Sequence, residues 1–184
     1  MERYLPGATC LFFAGSVGDQ GPSKAGIGFE RAAWIGQSLA QVVVRTLETA
    51  HPVLPGALRA LQERLTLPPA NARLGFGVSL PRWMGKWLVD DDATLSLLAV
   101  GNDVFFGVPC DLTAGLGHEL KAAARSRGLE PMVIGFASDY VGYCLPAALY
   151  EAGPYESLMA FNGPHTGELI VARLIQMLDQ LSGE

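Results

Sequence analysis

The chain has 184 residues, of which 49% are hydrophobic and 17% are charged, and its formal net charge is −5. This composition is typical of a globular protein with a sizeable core and excludes an intrinsically disordered chain. Lysine and arginine form no run, and no apolar stretch reaches the roughly 18 residues of a transmembrane helix, so neither a nucleic-acid partner nor a transmembrane segment is expected.

The first part of the chain predicts a strand, a loop and a helix. Residues 8–15, ATCLFFAG, form a short apolar run that ends at a glycine, which is typical of a buried strand. A glycine-rich loop follows at 16–28, and residues 29–50 have the apolar spacing of an amphipathic helix. Two prolines interrupt the chain within 51–57. The next segment, ALRALQERLTL, is compatible with a helix by propensity and with a strand if its leucines are paired.

The second part of the chain predicts a hairpin, two helices and a further strand. Residues 68–87 should be mostly irregular, and 94–111 should form a hairpin around a Gly-Asn-Asp turn. Residues 112–129 are typical of a helix closed by a glycine. A buried strand is expected at 131–138, and the last helix at 166–181.

This alternation of strands with helices predicts a single α/β domain over residues 1–184, with a layered sheet and flanking helices. The strand predicted near the start has only seven residues before it. We therefore expect the chain to be the later part of a larger α/β domain.

The three cysteines, Cys10, Cys110 and Cys144, have neither disulfide-framework nor zinc-finger spacing. Their apolar surroundings predict that they are small buried hydrophobic side chains. Such cysteines fit a reducing compartment. Because the N-terminus also lacks the basic segment of a signal peptide, a cytoplasmic location is the default expectation.

The glycine-rich loop, GSVGDQGPSK, has neither the phosphate-loop nor the dinucleotide-binding pattern. A glycine loop between a strand and a helix can still present backbone N–H groups to an anion. The alternative is a tight turn in which Asp19 hydrogen-bonds its own loop. Spacing alone favours the turn.

Asp111 lies where a predicted strand ends and a helix begins, and two interpretations are open. Aspartate is a preferred helix N-cap, which stabilises a helix by roughly 1 kcal/mol. Alternatively, its carboxylate lies at the carboxyl edge of a sheet, where sites of α/β proteins form and where a cation such as zinc accepts an oxygen ligand.

The three histidines, His51, His118 and His165, form no close ligand pair. His118 and Glu119 fall within a predicted helix and are expected at its surface or at an interface. A complete metal site made from this chain alone is therefore not expected.

Residues 135–156 hold four of the five tyrosines: Tyr140, Tyr143, Tyr150 and Tyr155. One interpretation is aromatic packing. The other is a site where a phenol binds a metal or contacts a substrate.

Three segments in order along the chain resemble the neutral/alkaline non-lysosomal ceramidase family. ASDYVGYCLPAALYEAGPYE (137–156), followed by GPHT (163–166), is similar to the C-terminal signature of that family. FFAGSVGDQGP (12–22) resembles its glycine-aspartate loop, and VFFGVPCDL (104–112) resembles its Pro-Gly-Glu strand end.

The resemblance implies a zinc amidohydrolase that cleaves the N-acyl bond of ceramide. It implies that Asp111 and Tyr143 are zinc ligands and that Tyr155 contacts the reacting amide, whereas Tyr140 and Tyr150 pack. Asp19 is a further catalytic candidate in the glycine-aspartate loop. Gly18 and Gly21 of the same loop are the candidate substrate-binding residues.

The departures from the family pattern imply an incomplete enzyme. The two zinc histidines of the family belong to its N-terminal half, and the position of its serine nucleophile holds Gly21, with Ser23 two residues later. Asp111 replaces a glutamate, Ser138 replaces an asparagine and Cys110 replaces a glycine. The chain is thus expected to be the C-terminal half of a ceramidase-like catalytic domain. It would need the N-terminal half or an oligomer partner to act on a lipid-like or other amide. The alternative is a non-catalytic ceramidase-like domain that binds a ligand or a partner.

Overall fold

A computed structural model describes residues 1–23, 26–51, 56–70, 89–153 and 155–182. The chain divides into two compact units. One comprises residues 1–12 and 21–54, and the other comprises 13–20 and 55–184. The prediction of a single domain over residues 1–184 stays a prediction.

The first unit contains one helix, α1 (Gly28–Leu47), among its described residues, and this confirms the amphipathic helix predicted at 29–50. Near the chain start, the Cys10 N–H donates a hydrogen bond of 3.2 Å to the Glu2 carboxylate. Cys10 is exposed, so the prediction that it is buried is wrong. Its segment is irregular, so the apolar neighbours of Cys10 in sequence do not form a core around its thiol.

The buried strand predicted at 8–15 is also wrong, because these residues form no strand and the side chains of Leu11, Phe12 and Phe13 are largely exposed. A strand needs a neighbour to accept and donate its backbone hydrogen bonds. Within 13–15, the Ala14 carbonyl accepts one such bond from the Gly135 N–H at 2.9 Å. Residues 8–15 therefore do not form the series of strand-to-strand hydrogen bonds that their apolar composition predicted.

The second unit is an α/β fold. Its elements in chain order are β1 (Leu58–Thr66), β2 (Asp92–Val100), β3 (Asp103–Gly107), β4 (Asp111–Leu112), α2 (Ala114–Arg125), β5 (Glu130–Ile134), β6 (Tyr143–Cys144), α3 (Ala147–Ala152), α4 (Tyr155–Leu158) and α5 (Thr166–Ser182).

Four strands form the main sheet in the order β1-β2-β3-β5. The β2–β3 pair is antiparallel and turns at Gly101 and Asn102, which confirms the predicted hairpin. The ambiguous segment before it is the strand β1, because it pairs with β2 along its whole length, from Leu58 opposite Val100 to Thr66 opposite Asp92. β5 joins β3 in parallel.

β5 departs from the buried strand predicted at 131–138. It ends at Ile134, and its side chains alternate between exposed and buried, with Met132 41% exposed. The alternation arises because one face of the sheet packs on helices, whereas side chains such as Met132 and Leu98 on the other face are partly exposed. The following residues bend into the tyrosine-rich segment.

The helices α2 and α5 pack against each other and against the same sheet, α2 beside β5 and α5 beside β1 and β2. They confirm the helices predicted at 112–129 and 166–181, and Gly128 has the left-handed φ of +74° expected of a helix-closing glycine. The core between the layers contains fully buried side chains from the sheet and both helices: Leu95, Leu97, Val104, Phe106, Leu116, Leu120, Ile170, Leu174 and Leu178. The layered sheet with flanking helices is therefore confirmed.

A two-bond ion pair links the sheet edge to the last helix. Glu63 of β1 accepts hydrogen bonds from the Arg173 Nε and Nη2 of α5, both at 2.7 Å. This pair lowers the pKa of Glu63, mainly through the hydrogen bond from Arg173.

None of the helices in the described ranges combines the length and hydrophobicity that a bilayer span requires. The irregular segment predicted at 68–87 lies mostly outside the described residues.

Candidate functional site

Two short strands beyond the main sheet place Asp111 beside Tyr143. β4 and β6 pair in parallel, with Asp111 opposite Tyr143 and Leu112 opposite Cys144. The Asp111 N–H donates to the Gly142 carbonyl at 2.9 Å, and the Thr113 N–H donates to the Cys144 carbonyl at 3.2 Å. Because paired residues project their side chains to the same face, this register brings together the two predicted zinc ligands.

Gly142 is required for this pairing. It has a φ of +84°, and a Cβ at this position would overlap the Met159 carbonyl and the Phe161 ring. The neighbouring Tyr143 N–H donates to the same Met159 carbonyl at 3.0 Å. The backbone before Tyr143 therefore packs too closely for any side chain, and this fixes the direction in which Tyr143 enters the site.

The Tyr143 side chain interacts with the Asp111 carboxylate closely enough to lower the pKa of Asp111. The Oδ1 oxygen of that carboxylate is buried and has no hydrogen-bond partner among the described residues. Burial has a larger effect and raises the pKa of Asp111, and the negative charge of Asp19 raises it further. Burial and the Asp111 charge raise the pKa of Tyr143. A buried carboxylate oxygen without a donor is available to a cation.

Asp111 does not cap the helix that follows it, so the N-cap interpretation is wrong. The N-cap of α2 is Thr113, whose side chain makes no capping bond. The carboxylate of Asp19 takes that place, because its Oδ1 accepts a hydrogen bond of 2.7 Å from the Ala114 N–H. Asp19 is 95 residues away along the chain, so local sequence could not reveal this cap. Gln20 also donates to Asp19 at 3.2 Å, as expected for a hydrogen bond within the loop.

Gly18 holds the loop against the strand end that carries Asp111. Its N–H donates to the Leu112 carbonyl at 2.9 Å, and a Cβ on Gly18 would lie 2.6 Å from the Asp111 carbonyl oxygen. This close approach brings Asp19 next to Asp111. Because the Gly18 N–H is already bonded, a contact with substrate would use other groups of the loop, and its substrate-binding role stays a prediction.

Gly21, the other predicted substrate-binding residue, falls in the first unit, and a Cβ there would meet nothing within 4 Å. Ser23 is exposed. The roles predicted for this end of the loop stay predictions.

The tyrosine segment divides into site-facing and buried rings. The Tyr155 ring contacts the Tyr143 ring edge to face, with centroids 6.5 Å apart, and Tyr155 is 66% exposed. Tyr140 packs against Phe136 with centroids 5.7 Å apart, and the Asp111 charge contributes to its raised pKa after burial. Tyr150 is buried with Leu145 and Ala160. Tyr140 and Tyr143 therefore lie near the Asp111 carboxylate, Tyr155 contacts Tyr143, and Tyr150 is part of a small core.

The backbone between β5 and Tyr140 holds features that sequence reasoning did not find. Phe136 and Ser138 have left-handed φ values of 58° and 71°, which are unfavourable for residues other than glycine. Asp139 accepts a hydrogen bond of 2.7 Å from the Thr94 N–H and so ties the segment to β2. The one sequence signal was Ser138 itself, which stands where the resembled family has asparagine, a residue that tolerates this conformation.

The histidines do not join the site in the described chain. His118 is exposed on α2, as expected, and the His165 Nδ1 lies 3.8 Å from the Glu168 carboxylate. No group of three or more histidine, cysteine, aspartate or glutamate side chains that could hold a metal occurs among the described residues. Cys110 and Cys144 are buried as predicted, and burial raises the pKa of the Cys110 thiol, which favours the neutral form. Of the predicted zinc ligands, the described residues bring together Asp111 and Tyr143, and their ligand roles stay predictions.

Two curated relatives match part of the chain. The neutral ceramidase of Drosophila pseudoobscura pseudoobscura is 34% identical over 91 residues, and the neutral ceramidase of Drosophila melanogaster is 30% identical over 91 residues. Each match covers 46% of this chain and 12% of the relative, so the chain spans a small part of the length of these proteins. No protein-family model matches the chain.

A solved structure shares the fold. The neutral ceramidase from Pseudomonas aeruginosa superposes with a TM-score of 0.51 at 16% sequence identity, over 65% of this chain and 28% of that chain. At this identity the likeness concerns the fold. The chain therefore contains a ceramidase-like region, similar in sequence and in fold to part of a neutral ceramidase.

Proposed function

We propose that this chain supplies the C-terminal part of the active site of a zinc-dependent amidohydrolase that cleaves N-acyl amides of lipids such as ceramide. The observation that carries the proposal is the Asp111 carboxylate, which is paired with Tyr143 across the β4–β6 ladder and has a buried Oδ1 oxygen that no described residue engages. The similarity to neutral ceramidases supports the choice of substrate class.

Asp111 and Tyr143 would hold the metal with two oxygen atoms. Zinc sites usually take four ligands, and catalytic sites usually take three from protein. Two histidines from a partner polypeptide, the N-terminal half that the resemblance implies, would complete the set. Bound zinc would polarise the amide carbonyl and lower the pKa of a water molecule to about 7. The incomplete donor set supports the view that the isolated chain is inactive.

Tyr155 and Asp19 would act beside the metal. The exposed Tyr155 phenol, held by ring contact with Tyr143, is suited to donate a hydrogen bond to the reacting amide as negative charge develops on it. One oxygen of the Asp19 carboxylate accepts a hydrogen bond from the Ala114 N–H, and the negative charge of Asp19 raises the pKa of Asp111. Gly18 and Gly21 are proposed to shape the substrate-binding loop.

Hydrolysis of an N-acylsphingosine by the chain co-expressed with a ceramidase N-terminal portion tests this proposal. The complex should release fatty acid, and the isolated chain should not. Tyr155→Phe should lower kcat, whereas Tyr140→Phe, which keeps its ring contact with Phe136, should preserve most of the activity. Unchanged activity of Tyr155→Phe and Asp111→Ala complexes would contradict the proposal.

A second candidate is a non-catalytic ceramidase-like domain that binds a ligand or a partner. Gly21 favours it, because glycine occupies the position at which the resemblance implies a serine nucleophile. In that case a complex that binds zinc would still fail to hydrolyse the amide. Gly21→Ser would restore no activity.

A further inference from the structure

Asn162 is a buried polar residue with an exposure of 3%. Its side-chain amide donates two hydrogen bonds, one to the Pro68 carbonyl at 3.0 Å and one to the Asp90 carbonyl at 3.3 Å. These two acceptors lie 94 and 72 residues away from Asn162 along the chain. Because a buried amide is costly unless it is hydrogen-bonded, the two bonds fix the place of Asn162 in the fold.

The two acceptors belong to one end of the main sheet. Pro68 lies just after β1, and Asp90 lies just before β2. Between them and the strands, the Leu67 N–H donates to the Asp91 carbonyl at 2.8 Å and so continues the β1–β2 pairing. The Asn162 side chain therefore bonds both segments at the point where they leave the sheet.

The residues just before Asn162 contact the strand that carries Tyr143. The Met159 carbonyl accepts the hydrogen bond of 3.0 Å from the Tyr143 N–H. Two ring carbons of Phe161 lie 2.8 and 2.9 Å from the point that a Cβ on Gly142 would occupy. We call residues 159–162 the bridging segment, because they are bonded to the main sheet through Asn162 and to β6 through Met159.

The strand β6 is short and has few hydrogen bonds of its own. It has 2 residues, whereas β1 and β2 pair along 9 residues. The bonds that β6 accepts from β4 use the Gly142 and Cys144 carbonyls. Backbone groups of successive strand residues point to opposite sides, so the Tyr143 N–H points away from β4, towards the Met159 carbonyl. The strand β6 thus lies between β4 and the bridging segment.

We infer that Asn162 is a positioning residue for Tyr143, which it holds beside Asp111 through the bridging segment. This inference rests on the proposed function, in which the Tyr143 oxygen is a zinc ligand. The amide of Asn162 anchors the bridging segment on the main sheet, and the Met159 carbonyl then fixes the backbone from which the Tyr143 side chain projects. Residues that orient a metal ligand commonly contribute about 10- to 100-fold to metal affinity.

The alternative is that Asn162 only closes the end of the β1–β2 pair. That pair already has 9 residue pairs, whereas the ladder that carries Tyr143 has 2, so the shorter ladder gains more from an added support. The two roles also differ in what a substitution changes. Closure alone would lower the stability of the chain without moving the Tyr143 ring.

Asn162→Ala tests the inference, and Arg59→Ala is its matched control. Arg59 also donates from its side chain to a distant backbone carbonyl, that of Leu181 at 2.6 Å, but it lies near the start of β1. Urea unfolding of both variants measures how much stability each lost bond removes. If Asn162→Ala does not fold, Phe161→Leu repeats the test, because it removes the ring beside Gly142 and keeps an apolar side chain.

The first readout is the NMR spectrum of the isolated chain with isotope-labelled tyrosine rings, in which Tyr143→Phe identifies the Tyr143 signal. We expect Asn162→Ala and Phe161→Leu to shift or broaden that signal. Arg59→Ala should leave it in place. The signal of Tyr4, which belongs to the other unit, should change in none of these variants.

The second readout is the zinc dissociation constant of a complex. The partner is the part of the Drosophila pseudoobscura neutral ceramidase that precedes its matched stretch, co-expressed with this chain. The dissociation constant should rise about tenfold in Asn162→Ala and should not change in Arg59→Ala.

The two readouts separate the inference from the proposed function. A Tyr143 signal that moves in Asn162→Ala, while the parent complex binds no zinc, would support the hold of Asn162 on Tyr143 and contradict the zinc site. An unchanged signal in both Asn162→Ala and Phe161→Leu would overturn the inference, whatever the zinc content. An equal change in Arg59→Ala would also overturn it, because general loosening would then be the cause. A moved signal with unchanged zinc affinity would show that the metal does not depend on this support, and the positioning role would fail.

Discussion

Asp111 and Tyr143 occupy paired positions in the parallel β4–β6 ladder, and each side chain shifts the pKa of the other. The pairing joins two segments 32 positions apart in sequence through backbone hydrogen bonds on both sides. The carboxylate is thus held by the fold itself, in the way that a preorganised ligand must be.

The close approach of Gly18 to the backbone of Asp111 predicts a large effect of a single methyl group. In Gly18→Ala the new Cβ would lie 2.6 Å from the Asp111 carbonyl oxygen, and the loop must move away. We expect a loss of about 1–3 kcal/mol in the free energy of unfolding, measured by urea denaturation. Gly21→Ala is the matched control, because its Cβ meets nothing within 4 Å and its effect should stay within about 0.5 kcal/mol. Equal stability of the two variants would contradict this packing.

The hydrogen bond from the Ala114 N–H to Asp19 predicts that Asp19 stabilises the start of α2. Asp19→Ala removes the acceptor and should cost about 1 kcal/mol in thermal or urea unfolding. Asp19→Asn keeps an oxygen acceptor and loses the charge, so it should retain much of the stability. It should also lower the pKa of Asp111, which carboxyl NMR titration can measure, because the Asp19 charge raises it. An unchanged Asp111 pKa in Asp19→Asn would show that the two carboxylates do not interact.

The left-handed backbone at Ser138 predicts a stabilising substitution. With a φ of 71°, Ser138→Asn should increase the free energy of unfolding by a few tenths to about 1 kcal/mol, since asparagine tolerates this conformation better. Ser126→Asn is the control, because Ser126 has an ordinary helical φ of −62°. A gain at position 126 that matches the gain at 138 would show that backbone conformation is not its source.

The Glu63–Arg173 pair predicts a pH-dependent contribution to stability. The pKa of Glu63 is lower in the folded chain than its ordinary value of 4.5. Its contribution is therefore fully present above about pH 4.5 and is lost as the pH falls through the folded pKa. Glu63→Gln should be less stable than the parent at pH 7, and this difference should shrink on acidification. The effect should be small, because both side chains are 31% exposed.

Urea unfolding of both proteins between pH 7 and pH 3 checks this prediction. Glu119→Gln, on the exposed side of α2, is the control and should follow the parent at each pH. A difference between Glu63→Gln and the parent that grows towards acidic pH would contradict the sign of the pKa shift.

Local patterns were sufficient where one segment determines its own structure. The apolar spacing of α1 and α5 and the turn between β2 and β3 are local signals, and all three elements were predicted correctly. The segment that became β1 was ambiguous because its state depends on pairing with β2, whose partner residues lie 26 to 42 positions away along the chain. The run at 8–15 has the composition of a strand, but it pairs with no strand among the residues that the structure describes.

The candidate site was predicted by resemblance rather than by spacing. Nothing local to Asp111 indicates that Asp19 caps α2 in its place, or that the β4–β6 ladder sets Tyr143 beside it. The loop at Gly18 and the bend at Ser138 arise from close backbone contacts between distant segments. Such contacts are set by the tertiary fold, so they become visible when the fold is known.

The most direct test of the account is the zinc content of this chain, measured by plasma mass spectrometry, alone and co-purified with a ceramidase N-terminal portion. We predict almost no zinc in the isolated chain and about one zinc per complex. That zinc should be lost in Asp111→Ala and Tyr143→Phe and retained in Tyr140→Phe. Full zinc occupancy in the isolated chain, or in the Asp111→Ala complex, would contradict the assignment of Asp111 and Tyr143 as two ligands of a shared site.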